Sequence, residues 1–378
     1  MSVIARVTTE NPRVPLSRLL AGSFGLDVWE VKPDHLVLQA TEAQVERLQQ
    51  IGYGVEQLHE TETFLSTFAT DEATAGYHSA QSLEHDLRQL AADHSDIAEL
   101  QEIGRSVENR PLWALRIGVG GANSRKLAFL GCHHAREWIS VEVPYLLAEH
   151  LLDNAHTDPV QQWLQTGQIW VAPMVNPDGH EYTRNHDRLW RKNRRPNPDG
   201  TVGVDPNRNY AYMWGTLDVS TSSHVPADET YVGPRAFSEP EAQAVRNLVA
   251  RELFAGVITY HSYSQLLLFP WGYTPQPIVD APELRDIENL ANTMGRLIHQ
   301  VHGETYTVEQ SSKLYPTAGD TTDWTYGEYG IPSFTIELRP DSHAGGGFIL
   351  PASQIQPTLE ENLPAALEFL RHTFEAKP

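Results

Sequence analysis

Two residues of different chemistry stand three apart in the stretch Leu127-Ala128-Phe129-Leu130-Gly131-Cys132-His133-His134-Ala135-Arg136-Glu137-Trp138. Imidazole and carboxylate both bind Zn2+, and the step from His134 to Glu137 lets one turn present both to a single ion. The pair is a common chance pattern and needs a third ligand to mean anything. His261, after the apolar run Gly256-Val257-Ile258-Thr259-Tyr260, is the candidate. Two histidines and one carboxylate leave a coordination position open, the pattern of catalytic rather than structural zinc. Zinc draws the pKa of water held there down towards about 7. A carboxylate that is not a ligand must then take the proton. Glu337 lies among Phe334, Ile336 and Leu338, where a carboxylate is costly unless paired. Either it answers an arginine in an ion pair or it is a general base. The run Arg188 to Arg195 holds Arg188, Arg191, Lys192, Arg194 and Arg195. It is a solvated charged face or an anion-binding wall, and Arg191 is the candidate to stabilise an oxyanion.

These groups need strand ends to hold them. Residues 127–131 read as a buried strand and Ile139 to Leu152 as the helix after it, which places His134 and Glu137 at a strand's carboxyl end, where open α/β sheets bind ligands. The runs 169–175 (leading into Asn176-Pro177-Asp178-Gly179), 256–260 and 333–339 read as further strands alternating with helical segments, an α/β pattern. This larger region, 77–378, opens with the helical spacing of Leu83, Leu87 and Leu90. Residues 1–60 read as a small separate α/β unit with strands at 27–31, 35–39 and 54–58. Its helix opens on Thr41 with Gln44 as a capping box and stops at Gly52. Residues 61–76, rich in Thr, Ser, Ala, Glu and Asp, read as an exposed connector.

Composition narrows the partners. The chain has 378 residues and a formal net charge of −21, which argues against nucleic acid as a partner because phosphate binding needs clustered Lys and Arg. No run of about 18 apolar residues exists to span a membrane. The amino terminus lacks the apolar core of a signal peptide, so the chain reads as cytoplasmic as it stands, or secreted if a leader was removed. A monomer is expected. The single cysteine, Cys132, excludes an internal disulfide and a multi-cysteine zinc site. Cys132 and His133 point opposite ways on an extended segment, so a buried thiol is expected rather than a nucleophile pair.

From about Tyr77 to Thr373 the chain resembles the zinc metallocarboxypeptidases of the pancreatic carboxypeptidase A/B type. The blocks that carry the resemblance are His134-Ala135-Arg136-Glu137-Trp138, Asn176-Pro177-Asp178-Gly179, Arg188-Leu189-Trp190-Arg191-Lys192 and Gly203-Val204-Asp205-Pro206-Asn207-Arg208-Asn209. Further along stand Glu229-Thr230-Tyr231 with Ser238-Glu239, His261-Ser262-Tyr263-Ser264-Gln265-Leu266, Tyr315 with Asp323-Trp324, Phe334 to Arg339, and Pro351 to Ile355. The resemblance implies a mixed twisted sheet flanked by helices, one Zn2+ per chain, and peptide or protein C-termini as substrate. It implies His134, Glu137 and His261 as ligands, Glu337 as base and Arg191 as the group that polarises the scissile carbonyl. Asn207 and Arg208 would bind the terminal carboxylate and Tyr315 would close over it. Arg136, Arg188, Ser262 and Tyr263 would line upstream subsites, with Asp205 orienting a ligand histidine and His133 structural. Residues 1–60 resemble the family's pro-domain, which covers the cleft until cut away, making the chain a zymogen.

Two departures from the family pattern stand out. Basic-specific members carry an Asp where Thr322 stands, which disfavours strict Lys/Arg specificity. Leu268 and Leu314 favour apolar side chains, while Asp320, Gln310 and Thr317 add polarity, so a broad preference for large apolar residues with some Lys/Arg tolerance is expected. No Lys or Arg lies between Arg47 and Arg88, so activation would use a protease of apolar preference near Phe64-Leu65 or Phe68, or the unit would be permanent and not inhibit. The competing readings are a non-catalytic relative acting as a binding module and a zinc hydrolase for cell-wall peptides, polyglutamate tails or N-acyl amino acids. The His-Glu-x-x-His string of other zinc peptidases is absent.

Overall fold

A computed structural model describes residues 2–68 and 75–375. Residues 2–60 form a four-stranded antiparallel sheet in the order β2-β3-β1-β4, from β1 (Ser2–Thr8), β2 (Asp27–Val31), β3 (Leu36–Thr41) and β4 (Gly54–Glu60). The period of two along β1 explains how it packs. Val3, Ala5 and Val7 turn to one face, against Leu36, Leu38 and Leu48. Ile4 turns to the other and meets Trp29, Val37 and, from the larger region, Leu189, Tyr263 and Phe348. A short helix, α1 (Ser17–Ala21), precedes β2, and α2 (Glu42–Ile51) follows β3. The α2 capping box is present, with Thr41 Oγ1 accepting from Gln44 N and Gln44 Oε1 from Thr41 N, and left-handed Gly52 ends the helix.

Where the sequence suggests a connector, Thr61–Phe68 is a helix, α3. Phe64 is buried among Trp29 and Ile349, so the Phe64-Leu65 bond lies in helical, anchored backbone rather than in the extended form a protease needs. Phe68, the other expected cleavage point, is the last residue of that helix, and residues 69–74 of the expected connector lie outside the described residues.

The larger region is built on an eight-stranded mixed sheet in the order β11-β10-β12-β9-β7-β8-β6-β5. Its elements in chain order are α4 (Ala80–Asp93), β5 (Ala98–Arg105), β6 (Pro111–Ile117), β7 (Lys126–Gly131), α5 (Ile139–Asp153), α6 (Val160–Thr166), β8 (Gln168–Ala172) and α7 (Pro177–Asn185). Then come α8 (Pro240–Glu252), β9 (Gly256–Ser262), β10 (Leu266–Phe269), α9 (Ala281–His302), β11 (Thr307–Gln310), α10 (Thr321–Tyr329), β12 (Ser333–Leu338) and α11 (Ile355–Glu375). Strands β8, β7, β9 and β12 run parallel and are covered on both faces, which is why they read as nearly continuous apolar runs. Leu127 and Phe129 of β7 pack towards α5, α9 and α11, with Leu151, Met294 and Phe369. Ala128 and Leu130 pack the other way, with Val245 of α8 and Trp324 of α10. At the end of β7 a Cβ on Gly131 would lie 2.1 Å from the Ser140 carbonyl oxygen, so only glycine lets the chain turn so closely into α5. No helix among the described residues is long and apolar enough to cross a membrane.

Candidate active site

Strand ends gather the reactive groups. His134 and Glu137 lie on the turn from β7 into α5, and His261 is near the end of β9. Glu337 on β12 is in register with His261 across the parallel pair, so both side chains leave the sheet on the same face. His134 Nδ1 lies 2.8 Å from Glu137 Oε1, His261 Nδ1 lies 3.1 Å from Glu137 Oε2, and the two Nδ1 atoms are 3.2 Å apart. Zinc bonds of about 2.0–2.2 Å in tetrahedral array place ligand atoms roughly 3.3 Å from one another, so the donor set fits that ion. These three residues are the potential metal-binding cluster among the described residues. Burial alone would raise the Glu137 carboxyl, but the imidazoles of His134 and His261 hold it well below the ordinary carboxylate range. The Ser262 amide also donates to Glu137 Oε2, at 3.2 Å.

A second layer of buried polar groups holds the first. Asp205 Oδ1 lies 3.2 Å from His134 Nε2, and Asp205 Oδ2 accepts from Arg191 Nε at 3.0 Å and Nη2 at 2.9 Å. Such a carboxylate fixes the tautomer of a ligating histidine. His133 is fully buried, and burial holds its ring neutral, aided by the neighbouring His261 and His134.

Glu337 makes no ion pair or hydrogen bond among the described residues. The arginine just past the end of its strand, Arg339, pairs instead with Glu361 and Glu304. Burial and then the charge of Glu137 push the Glu337 carboxyl well above its ordinary range, against the pull of Arg191 and Arg208. Of the two meanings open for a carboxylate in this strand, the ion pair is therefore absent.

Two small spaces adjoin the trio, each of about 30 Å3, and both are lined by His134, Leu314, Tyr315 and Glu337. The first is closed by Val28, Trp29 and Val31 of β2 and also meets Arg191, Ser262 and Tyr263. The second meets Asn207, Arg208, Leu268, Thr317, Asp320 and Thr335. Each holds about a water molecule, far less than the several hundred Å3 of an ordinary ligand pocket. Asn207 Oδ1 accepts from Thr321 N and Oγ1 at 2.9 and 2.7 Å. The Arg208 guanidinium donates through Nε to the Thr221 carbonyl and through Nη1 to the Asn207 carbonyl, leaving Nη2 without a partner among the described residues. Tyr315 packs against the core of the four-stranded sheet. Asp320 caps α10, accepting from Asp323 N at 2.9 Å and from Thr317 Oγ1 at 3.2 Å, and burial raises its carboxyl.

Several expected positions behave differently. Arg136 does not face an open subsite: its Nη1 and Nη2 clamp Asp27 of β2 at 2.6 and 2.8 Å, over the Phe348 ring. Arg188 does not line either space, because its guanidinium donates to the carbonyls of Arg136 and Phe348 and lies 3.8 Å over the Trp138 ring. Thr322 reaches the second space only through Thr335, hydroxyl to hydroxyl at 2.7 Å. The Gln310 amide is spent on the carbonyls of Trp271, Thr274 and Gln276. Two residues escaped the sequence reading. Asp27 gives no local signal of its partner 109 residues away. Glu229 stands in a recognisable block without a stated role, yet it is half-buried, and its desolvation with the nearby Asp27 charge pushes its carboxyl up to about 7.

Known proteins are similar to this chain in sequence and fold. A family profile described as zinc carboxypeptidase matches residues 83–365. The carboxypeptidase B of Astacus astacus is 36% identical over 310 residues, covering 79% of this chain and 98% of that protein. The carboxypeptidase A1 of Bos taurus is 32% identical over 365 residues, 96% of this chain and 83% of that protein, so the match runs into residues 1–60. The crystal structure of thrombin activatable fibrinolysis inhibitor superposes with a TM-score of 0.81 at 25% identity, covering 100% of both chains.

Proposed function

Given that the chain belongs to the zinc carboxypeptidase family and is a metallohydrolase of peptide C-termini, we propose that it removes single residues, preferring large apolar ones and tolerating Lys and Arg, with Glu337 as general base. The observation that carries this reading is an unpaired Glu337 facing the convergent donors of His134, Glu137 and His261. Those three would hold one Zn2+, which when bound supplies Lewis acidity at neutral pH. Glu337, its carboxyl raised by burial, takes a proton from the attacking water as the new C–O bond forms. It then returns that proton to the amide nitrogen as the C–N bond breaks, so protons balance over the cycle. Arg191, whose Nε and Nη2 both donate to Asp205 Oδ2, offers its remaining N–H groups to the developing oxyanion. Asn207 and Arg208 would grip the substrate's terminal carboxylate, a task suited to an amide beside a planar guanidinium, with Tyr315 closing over them. Ser262 and Tyr263 would face the upstream residue.

Leu268, Leu314 and Thr335 around the second space support an apolar preference, and Asp320 at its wall supports tolerance of a cation. Residues 1–60 act as an inhibitory cover. The Asp27–Arg136 clamp, Trp29 over the site and the minute volume left beside the trio support this. The test is release of C-terminal residues from peptides ending in Phe, Leu, Lys, Arg or Glu, read by mass spectrometry on intact and nicked protein with and without a zinc chelator. Chelator-sensitive release of Phe and Leu above Lys and Arg, and only after nicking, is expected. A strong preference for Glu, or chelator-resistant release, would overturn the reading.

A further inference from the structure

His133 is a buried ring that the proposed chemistry leaves unused, and its hydrogen bonds lead to a ligand. With Nδ1 of His261 directed at the metal position, the ring proton must sit on Nε2, which then needs an acceptor. Two polar groups are near. Asn207 Nδ2 lies at 3.4 Å, but Thr321 pins Oδ1 of that amide, so its NH2 faces another N–H and cannot accept. Thr259 Oγ1, at 3.2 Å, is the acceptor. Thr259 and His261 are two apart on β9 and share a face.

The Thr259 hydroxyl must in turn donate, and the acceptor in reach is His133 Nδ1 at 3.3 Å. That assigns the His133 proton to Nε2, which lies 2.9 Å from the Tyr210 hydroxyl and 3.1 Å from Thr321 Oγ1. The Thr321 hydroxyl donates to Asn207 Oδ1 at 2.7 Å. A continuous hydrogen-bonded chain then runs from His261 through Thr259, His133 and Thr321 to Asn207. The His133 and His261 rings also stack, 5.5 Å between centroids and 17° between planes. Thr259, His261, His133, Tyr210 and Thr321 are each at most 1% exposed, so water cannot substitute.

We infer that His133 is a positioning residue: through Thr259 it fixes the tautomer and ring orientation of the ligand His261, and through Thr321 it ties that ring to Asn207. The inference rests on the reading of His261 as a zinc ligand. An apolar side chain at 133 would leave a buried hydroxyl with no acceptor, and the chain would lose its direction.

The test is the zinc dissociation constant of the full chain, measured by competition with a chelator of known affinity and thus independent of activity. His133→Leu and Thr259→Val should each weaken binding by about 10- to 100-fold, the usual effect of losing a group that orients a ligand. His133→Asn, which keeps an acceptor near the place of Nδ1, should stay within about threefold of the parent. The double variant should be no weaker than the weaker single, because both changes break one chain. The visible absorption of the Co2+-loaded protein should shift in the two disruptive variants and not in His133→Asn. Parent-like affinity in both disruptive singles, or losses that add in the double, overturns the inference while leaving the zinc reading intact. A parent chain that binds no zinc overturns both. If His133→Leu does not fold, Thr259→Val against Thr259→Ser decides alone: weakening only in the valine variant is expected, and equal affinities overturn the proposal.

Discussion

Replacing Asp27 by Asn keeps the shape of the β2 side chain and removes the charge that Arg136 grips. Asp27 is 11% exposed and Arg136 1%, and two short bonds join them. Breaking such a buried pair from one side costs about 3–5 kcal/mol. Part of that is recovered. Arg136 keeps the Leu189 carbonyl and the Phe348 ring. Glu229, pushed up to about 7 by desolvation and by Asp27, ionises more readily once that charge is gone and partly answers the guanidinium. A net loss of about 2–3 kcal/mol in docking residues 1–60 over the site remains, or about 30- to 150-fold in the covered-to-open ratio. The assay is the initial rate of intact protein on a peptide ending in Leu, beside the same protein after nicking. Intact Asp27→Asn should gain activity by that factor, up to the ceiling set by the nicked form, and the two nicked forms should agree. An intact variant as slow as the intact parent, while nicking still activates both, would refute the clamp as the latch.

Acid should loosen the same cover. Burial pushes the His343 ring down to about 4 from the ordinary 6.5, with His59 and Arg6 adding to the effect. Its ring lies against Trp29, His59 and Phe64, and its amide donates to Glu30. The docked form therefore binds fewer protons than the released form between pH 6.5 and about 4, and docking weakens as pH falls through that window. The ratio of intact to nicked rates should rise from pH 7 to pH 5, and His343→Asn should flatten it; an unchanged slope would exclude His343 as the source. In the pocket, Asp320→Asn keeps the α10 cap and removes the charge. The Lys-to-Leu release ratio should fall about tenfold, the worth of one charged hydrogen bond, and an unchanged ratio would show that Asp320 does not receive the cation.

The buried strands were legible because a parallel strand covered on both faces leaves a continuous apolar run. Thus 127–131 became Lys126–Gly131, and the run 169–175 stops at Ala172, just before Pro173. Strand β1, central in its sheet, went unread. Its alternation splits apolar residues between a core and a docking face, so neither face looks buried from sequence. Local chemistry carried further than local order. The Thr41 cap and the His134, Glu137 and His261 cluster are where the spacing places them. The place of Arg188, on the carbonyls of Arg136 and Phe348, was not legible because an arginine's reach does not say whether a carbonyl or a ligand will receive it. Thr61–Phe68 looked like a connector because its polar composition hides Phe64, the side chain that anchors it. Pairing between residues as distant as Asp27 and Arg136, or His133 and Thr321, is a product of topology that no window along the chain contains.

The central claim is that Glu337 moves the proton at a site whose metal is held by other residues. Its most direct test is Glu337→Gln in the nicked protein, with zinc content and C-terminal release measured on the same sample. One zinc per chain in both parent and variant is expected, with release slowed by about 10²- to 10⁴-fold, the usual worth of a positioned base. A variant that keeps its zinc and releases residues at the parent's rate would contradict the account.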